Sequence, residues 1–150
     1  MWEAYRVKNT RPTPGQLREA LLNANSVAQG TDVGRPGLAA VCRVILAELA
    51  AQHPGGSLEI RVPPFAAVQA GLGGRGDHTR GTPPNVVEMS PETLCRLAVA
   101  DLSWTDATAA FLVRASGIHT DISAWFDWEP HILLEPGDGL PGGQRQARIG

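Results

Sequence analysis

The chain has only two cysteines, four histidines and no excess of positive charge, and each shortage removes a class of function. Cys42 and Cys95 stand far apart in sequence, each inside an apolar helical pattern. They form no metal or redox motif, so buried, reduced thiols are the expectation. His53, His78, His119 and His131 are scattered, and none sits at i, i+4 spacing from another ligand type. No metal site is therefore expected. Lys and Arg total 13 against 15 Asp and Glu, a net charge of −2. That balance offers nothing to a phosphate backbone and argues against nucleic acid as a partner. No run reaches the ~18 apolar residues of a membrane span. The N-terminus lacks the apolar region of a signal peptide. A soluble cytoplasmic protein without stable membrane insertion is the expectation. No serine lies in a Gly-x-Ser-x-Gly elbow, which removes one common route to acyl-transfer catalysis.

What is present suits a single domain, since 150 residues bury a sizeable core without staples. The central stretch is organised by prolines. Leu58, Ile60 and Val62 alternate with Glu59 and Arg61 in the two-residue period of a half-buried strand. Pro63-Pro64 cannot donate ladder hydrogen bonds and must mark a bend or strand end before a new strand begins at Phe65. Pro83-Pro84 plays the same part before Asn85-Val86-Val87-Glu88. Between them, Gly71-Leu72-Gly73-Gly74-Arg75-Gly76 matches a dinucleotide glycine pattern. That chemistry needs a helix immediately afterwards to hold the pyrophosphate, and Asp77 to Pro84 does not supply one. A hairpin loop is the better reading, and no cofactor is expected.

Helices flank this centre. Thr13-Pro14-Gly15-Gln16 combines a cap, a first-turn proline and the returning glutamine of a capping box. Leu17, Ala20, Leu21 and Ala24 then make one short apolar face. Residues 36–53 carry Leu38, Val41, Cys42, Ile45 and Leu49 at helical spacing, ended by Pro54-Gly55-Gly56. This helix is expected to pack on the sheet that follows. Ser90-Pro91-Glu92 opens another helix, with Leu94, Leu97 and Ala98 on one face. Ser103-Trp104-Thr105-Asp106 caps a short helix reaching Ala110, and 111–115 reads as a strand. Asp121 caps a last helix over 121–127, with Ile122, Trp125 and Phe126 on one face. Residues 135–150 hold five glycines and two prolines without apolar periodicity, and a disordered tail is expected there.

The chemistry-bearing cluster is Arg61, His78, Arg80, Asn85 and Glu88. If two strands pair around the loop, these side chains converge. Arg80 then either grips a ligand carboxylate or phosphate bidentately, or pairs with Glu88 in a lock that holds the double-proline turn.

Arg61-Val62-Pro63-Pro64-Phe65-Ala66-Ala67-Val68-Gln69, with His78-Thr79-Arg80-Gly81-Thr82-Pro83-Pro84-Asn85-Val86-Val87-Glu88, resembles a bacterial, mainly actinobacterial, branch of the sterol carrier protein family. The likeness continues through Leu102-Ser103-Trp104-Thr105-Asp106-Ala107 and Arg114-Ala115-Ser116-Gly117. It implies an SCP-2-like α/β fold of the α+β kind: a mixed sheet of about five strands, an N-terminal helix on one face, and C-terminal helices enclosing an apolar cavity. The organisation expected is an extension with a short helix over 1–34, the SCP-2-like domain over 35–134, and the tail over 135–150. The implied function is that of a non-enzymatic carrier for a lipid, sterol or acyl-type small molecule. Composition alone makes Leu94, Leu97, Phe111, Trp125 and Phe126 plain core. The resemblance makes them, with Val68, Val87, Ala98 and Ile122, the wall of a ligand cavity. Relatives usually carry glycine where Ala100 and Phe111 stand, which implies that Phe111 fills space otherwise open to a ligand. A structural or protein-interaction domain without ligand, its partner unknown, is the alternative. The fold also resembles a small accessory domain of mycothiol-dependent maleylpyruvate isomerases. Their metal site lies in a separate helical domain that this chain is too short and too histidine-poor to contain.

Overall fold

The computed structural model describes residues 6–7, 10–72 and 83–128. Helices α1 (Pro14–Ala28) and α2 (Gly34–Gln52) lead into strands β1 (Leu58–Val62), β2 (Ala66–Ala70) and β3 (Asn85–Met89). Helices α3 (Pro91–Ala98) and α4 (Trp104–Ala109), strand β4 (Val113–Ser116) and a 3-10 turn (Ser123–Phe126) follow.

Local chemistry explains most of these boundaries. Thr13 accepts the Gln16 N–H while the Gln16 side chain accepts the Thr13 N–H, a complete capping box with Pro14 at the first turn. Ser90 and Ser103 each accept the N–H three residues on, from Thr93 and Asp106. All three caps satisfy donors that a helix start otherwise leaves open. Helix α2 begins at Gly34, two residues before the proline that sequence spacing makes its start.

Among the described residues the sheet has four strands, in the order β2-β1-β3-β4, one fewer than the sequence implies. β1 runs antiparallel to β2 and parallel to β3, and β4 returns antiparallel to β3. Pro63-Pro64, joined by a cis peptide bond, and Phe65 make the tight turn between β1 and β2. Arg6 forms a parallel bridge to Ala67, and the Val7 N–H donates to the Ala67 carbonyl at 2.9 Å, so the far edge of β2 is partly paired. The expected strand over 111–115 is shifted and shorter: Phe111 belongs to the end of α4, and pairing starts at Val113.

Register sorts the two faces. Leu58, Ile60 and Val62 lie beside Ala70, Val68 and Ala66 on one side and Asn85 and Val87 on the other. This face is buried, and α2 packs on it at β2. Helix α1 packs on α2 and α3, placing Leu17, Ala20, Leu21 and Ala24 in the same continuous core. Burying each of the larger aliphatic side chains contributes about 1.5–3 kcal/mol against its ordering cost. The opposite face carries Glu59, Arg61, Gln69, Glu88 and Arg114. Glu59 is only 4% exposed there, and it pairs with Arg61 and, at 3.9 Å, with Arg6. Glu48 on α2 is also buried, held by two hydrogen bonds from Arg11 (3.2 and 2.8 Å) and one from Gln52 (2.7 Å).

Both cysteines are free and buried, as their apolar surroundings in sequence predict. Burial pushes the Cys95 thiol up to about 12, with Glu92 adding to the effect, and raises Cys42 as well. Neither is a reactive thiolate at neutral pH.

Candidate functional site

The residues expected to wall a ligand cavity divide into two groups. Val68, Val87, Leu94, Leu97, Ala98 and Ile122 are at most 4% exposed and belong to the continuous core. Trp125 and Phe126 are only partly buried and pack against that core from outside. Phe111 does not belong with either group. It stands 82% exposed, so it fills no interior space.

The reason is backbone geometry. Phe111 and Ala100 are left-handed, with φ of 61° and 60°. Each follows the last residue of a helix in the same hydrogen-bond pattern. At the end of α3, the Ala100 N–H reaches the Leu97 carbonyl at 3.2 Å and the Asp101 N–H reaches the Arg96 carbonyl at 2.9 Å. At the end of α4, the Phe111 N–H reaches Thr108 at 3.1 Å and the Leu112 N–H reaches Ala107 at 2.9 Å. This is the Schellman termination, which favours glycine at its left-handed position. Glycine at these two positions would thus answer a conformational demand and not a demand for pocket space. Helix α1 ends the same way with Gly30, at φ 89°.

The C-terminal aromatic group is the most organised surface feature. The helix expected over 121–127 is a 3-10 turn of four residues, Ser123–Phe126, none of which is buried. Asp121 still caps locally: its carboxylate accepts the Ser123 N–H at 3.0 Å, and hydrogen bonds from the Ser123 side chain and then its N–H hold it below its ordinary value. The turn is pinned on both sides. Ile122 before it is fully buried. Trp128 after it is 7% exposed, and its indole N–H donates to the Ala98 carbonyl at 2.7 Å, satisfying an acceptor at the end of α3. Between these anchors, Trp125 stacks on His53, the residue that ends α2, at 3.9 Å between centroids. Phe126 meets Trp128 edge-on at 6.3 Å and Trp104 obliquely at 6.4 Å. Desolvation lowers the His53 pKa below its ordinary value. Neither His53, in sequence only one of four scattered histidines, nor Trp128 is marked for a site by the sequence. Closely spaced aromatics at 125, 126 and 128 were the available signal for Trp128. His53 had none, because its partner comes from the other end of the chain.

The expected polar cluster is only partly visible. His78 and Arg80 lie outside the described residues. Glu88 pairs with Arg114 of β4 at 2.7 Å, its cross-strand neighbour. Arg61 pairs with Glu59. Asn85 is 4% exposed and acts as a tie: its amide donates to the Ser57 carbonyl at 3.0 Å, and its oxygen accepts the His119 N–H at 3.0 Å. It thereby joins the approach to β1, the start of β3 and the segment leaving β4. Gly117, at φ 110°, lets that segment pass: a Cβ there would meet Asn85 Oδ1 and lie 2.7 Å from the Pro84 carbonyl. Arg61, Asn85 and Glu88 therefore have structural partners of their own.

Two hollows flank α2. One of about 480 Å³ lies at its first turn, against the α1–α2 loop, the Pro64-Phe65 turn and the start of α3. Another of about 220 Å³ lies near its last turns, bordered by Ala47, Ala50, Gln69 and Val68, the last an expected wall residue. Among the described residues, no three His, Cys, Asp or Glu side chains converge as a metal site requires. No described helix is long and apolar enough to cross a membrane.

A mixed sheet, a long helix laid on one face and further helices after β3 define an α/β protein of the fold class that the sequence motifs imply. Residues 34–127 match the model of the bacterial SCP ortholog family, and the chain belongs to that family. No curated protein matches the chain.

Proposed function

We propose that this protein is a non-enzymatic carrier that takes an acyl or sterol-type ligand beneath the 3-10 turn. The observation that carries this reading is the pinned but unburied turn. Ile122 and Trp128 anchor its ends, while Trp125 and Phe126 rest on the surface of the core. A carrier must remove an apolar chain from water and still release it. A four-residue turn held by one ring stack and two aromatic contacts is an inexpensive segment to lift. Lifting it would open the part of the apolar core on which Trp125 and Phe126 rest, a wall for the ligand. Membership of the family supports the class of ligand.

Tryptophan emission tests this directly. Oleate or cholesterol should shift or quench it saturably. Trp125→Ala should abolish most of the signal, and Trp104→Phe should leave most of it. Absence of saturable binding across a broad lipid panel would overturn the carrier reading.

The alternative is an interaction domain that holds no ligand. Two observations favour it: the tight packing of Val87, Leu94 and Ile122, and the exposed Phe111 and Ile118, at 82% and 88%. Native mass spectrometry of freshly purified protein separates the two readings, since a carrier should retain a co-purified lipid.

A further inference from the structure

The hollow at the first turn of α2 is independent of the aromatic turn at the other end of that helix. We infer that it is a second binding site, for a small aromatic monocarboxylate.

Its volume, about 480 Å³, lies within the range of small-molecule pockets, roughly 300–1,000 Å³. Val27 and Leu38 line it with apolar side chains, and Pro64, Phe65 and Pro91 with flat rings. Flat, rigid walls match a planar ring better than a flexible chain, because neither partner loses rotamer freedom on contact. Phe65 is itself firmly seated, at 7% exposure.

The charge pattern fixes the polar end. Arg35 stands at the rim with its guanidinium 5.0 Å from the centroid of the Phe65 ring. Among the described residues it makes no ion pair or hydrogen bond, so its donor fork is available. With its carbon over the Phe65 ring, the guanidinium can turn its donors to a ligand carboxylate while a ligand ring lies against the same apolar wall. Asp32 and Glu92 also border the hollow. Asp32 is engaged, accepting the Gly34 N–H at 2.8 Å. A ligand carrying more than one negative charge would meet these two carboxylates as well as Arg35, so a single carboxylate suits the rim better than a phosphate or a dicarboxylate.

The test is an amide NMR titration of the full chain with 2-naphthoate, 2-naphthylmethylamine and inorganic phosphate. Naphthoate should shift the amides of Arg35, Leu38 and Phe65 saturably, and phosphate should not. Arg35→Gln should weaken naphthoate binding by about tenfold or more, the loss expected for a charge-assisted contact, with Arg35→Lys in between. Arg35 is exposed, and an unchanged melting temperature checks that each variant is folded. The inference is overturned if no saturable shift occurs at these amides, if the amine binds more tightly than the acid, or if Arg35→Gln binds naphthoate unchanged. Shifts confined to Trp125 would also overturn it, while leaving the carrier reading intact.

Discussion

The imidazole of His53 lies flat on the indole of Trp125, with centroids 3.9 Å apart and planes within 5°. The contact joins the end of α2 to the 3-10 turn and is the turn's link to the long helix. Its stability should depend on pH. Desolvation lowers the His53 pKa in the folded chain from the ordinary 6.5. As pH falls below that value, the unfolded chain takes up its proton first. The stabilisation is therefore complete above about pH 6.5 and is lost as pH falls from there toward the folded pKa. Urea unfolding of the wild type and His53→Phe between pH 8 and 5 should show this. The phenylalanine keeps a ring for Trp125 but cannot titrate, so the difference between the two proteins should change in that window. A difference that stays constant with pH would show that the ring is not desolvated.

Replacing Ala100 or Phe111 by glycine should stabilise the protein, contrary to the usual effect of glycine. Both residues hold left-handed backbone, and Phe111 has almost no burial to lose. Each replacement should add about 1 kcal/mol, near the cost of left-handed conformation for an L-residue. Denaturant midpoints measure this. A loss of stability in Phe111→Gly would mean that the exposed ring makes a contact worth more than the strain.

Gly117→Ala should be among the most disruptive small substitutions. Its Cβ meets Asn85, which the pairing with β1 fixes, and the carbonyl of the preceding Pro84, at a φ that alanine rarely adopts. A loss of about 2–3 kcal/mol is expected. Asn85→Ala removes the tie itself and should cost about 1–3 kcal/mol, since the Ser57 carbonyl loses its donor and the His119 N–H its acceptor. If Asn85→Ala left stability unchanged, the tie would have no energetic weight.

Arg11→Ala should cost about 3 kcal/mol, because Glu48 is 2% exposed and would keep only the Gln52 hydrogen bond. Adding Glu48→Met to Arg11→Ala should recover much of that loss by removing the buried charge. Thermal unfolding of the two variants decides the point: if the double variant is no more stable than the single one, Arg11 contributes by packing and not by pairing.

The sequence by itself determined the elements whose causes are local. Thr13 with Gln16, Ser90 with Thr93, and Ser103 with Asp106 act within three residues, so their caps are readable from the chain alone. The alternation of Leu58, Ile60 and Val62 announced a strand for the same reason, but not that Glu59 between them is buried as well. The family motifs were legible as strings, and with them the class of fold. The left-handed positions were half legible: the family resemblance singled out 100 and 111, but only the backbone showed that φ, and not space, is what matters there.

Tertiary structure decided every partnership that crosses elements. Glu88 faces Arg114 because β3 and β4 pair in one register, and a shift of one residue would turn the two carboxylate and guanidinium groups to different partners. Arg11 reaches Glu48, Asn85 reaches His119, and Trp128 reaches Ala98 only after the helices have docked on the core. His53 and Trp125 carry no sequence signal of their contact. Their stack exists because α2 ends where the 3-10 turn crosses, a coincidence set by packing, which acts between residues that are neighbours in space and strangers in sequence.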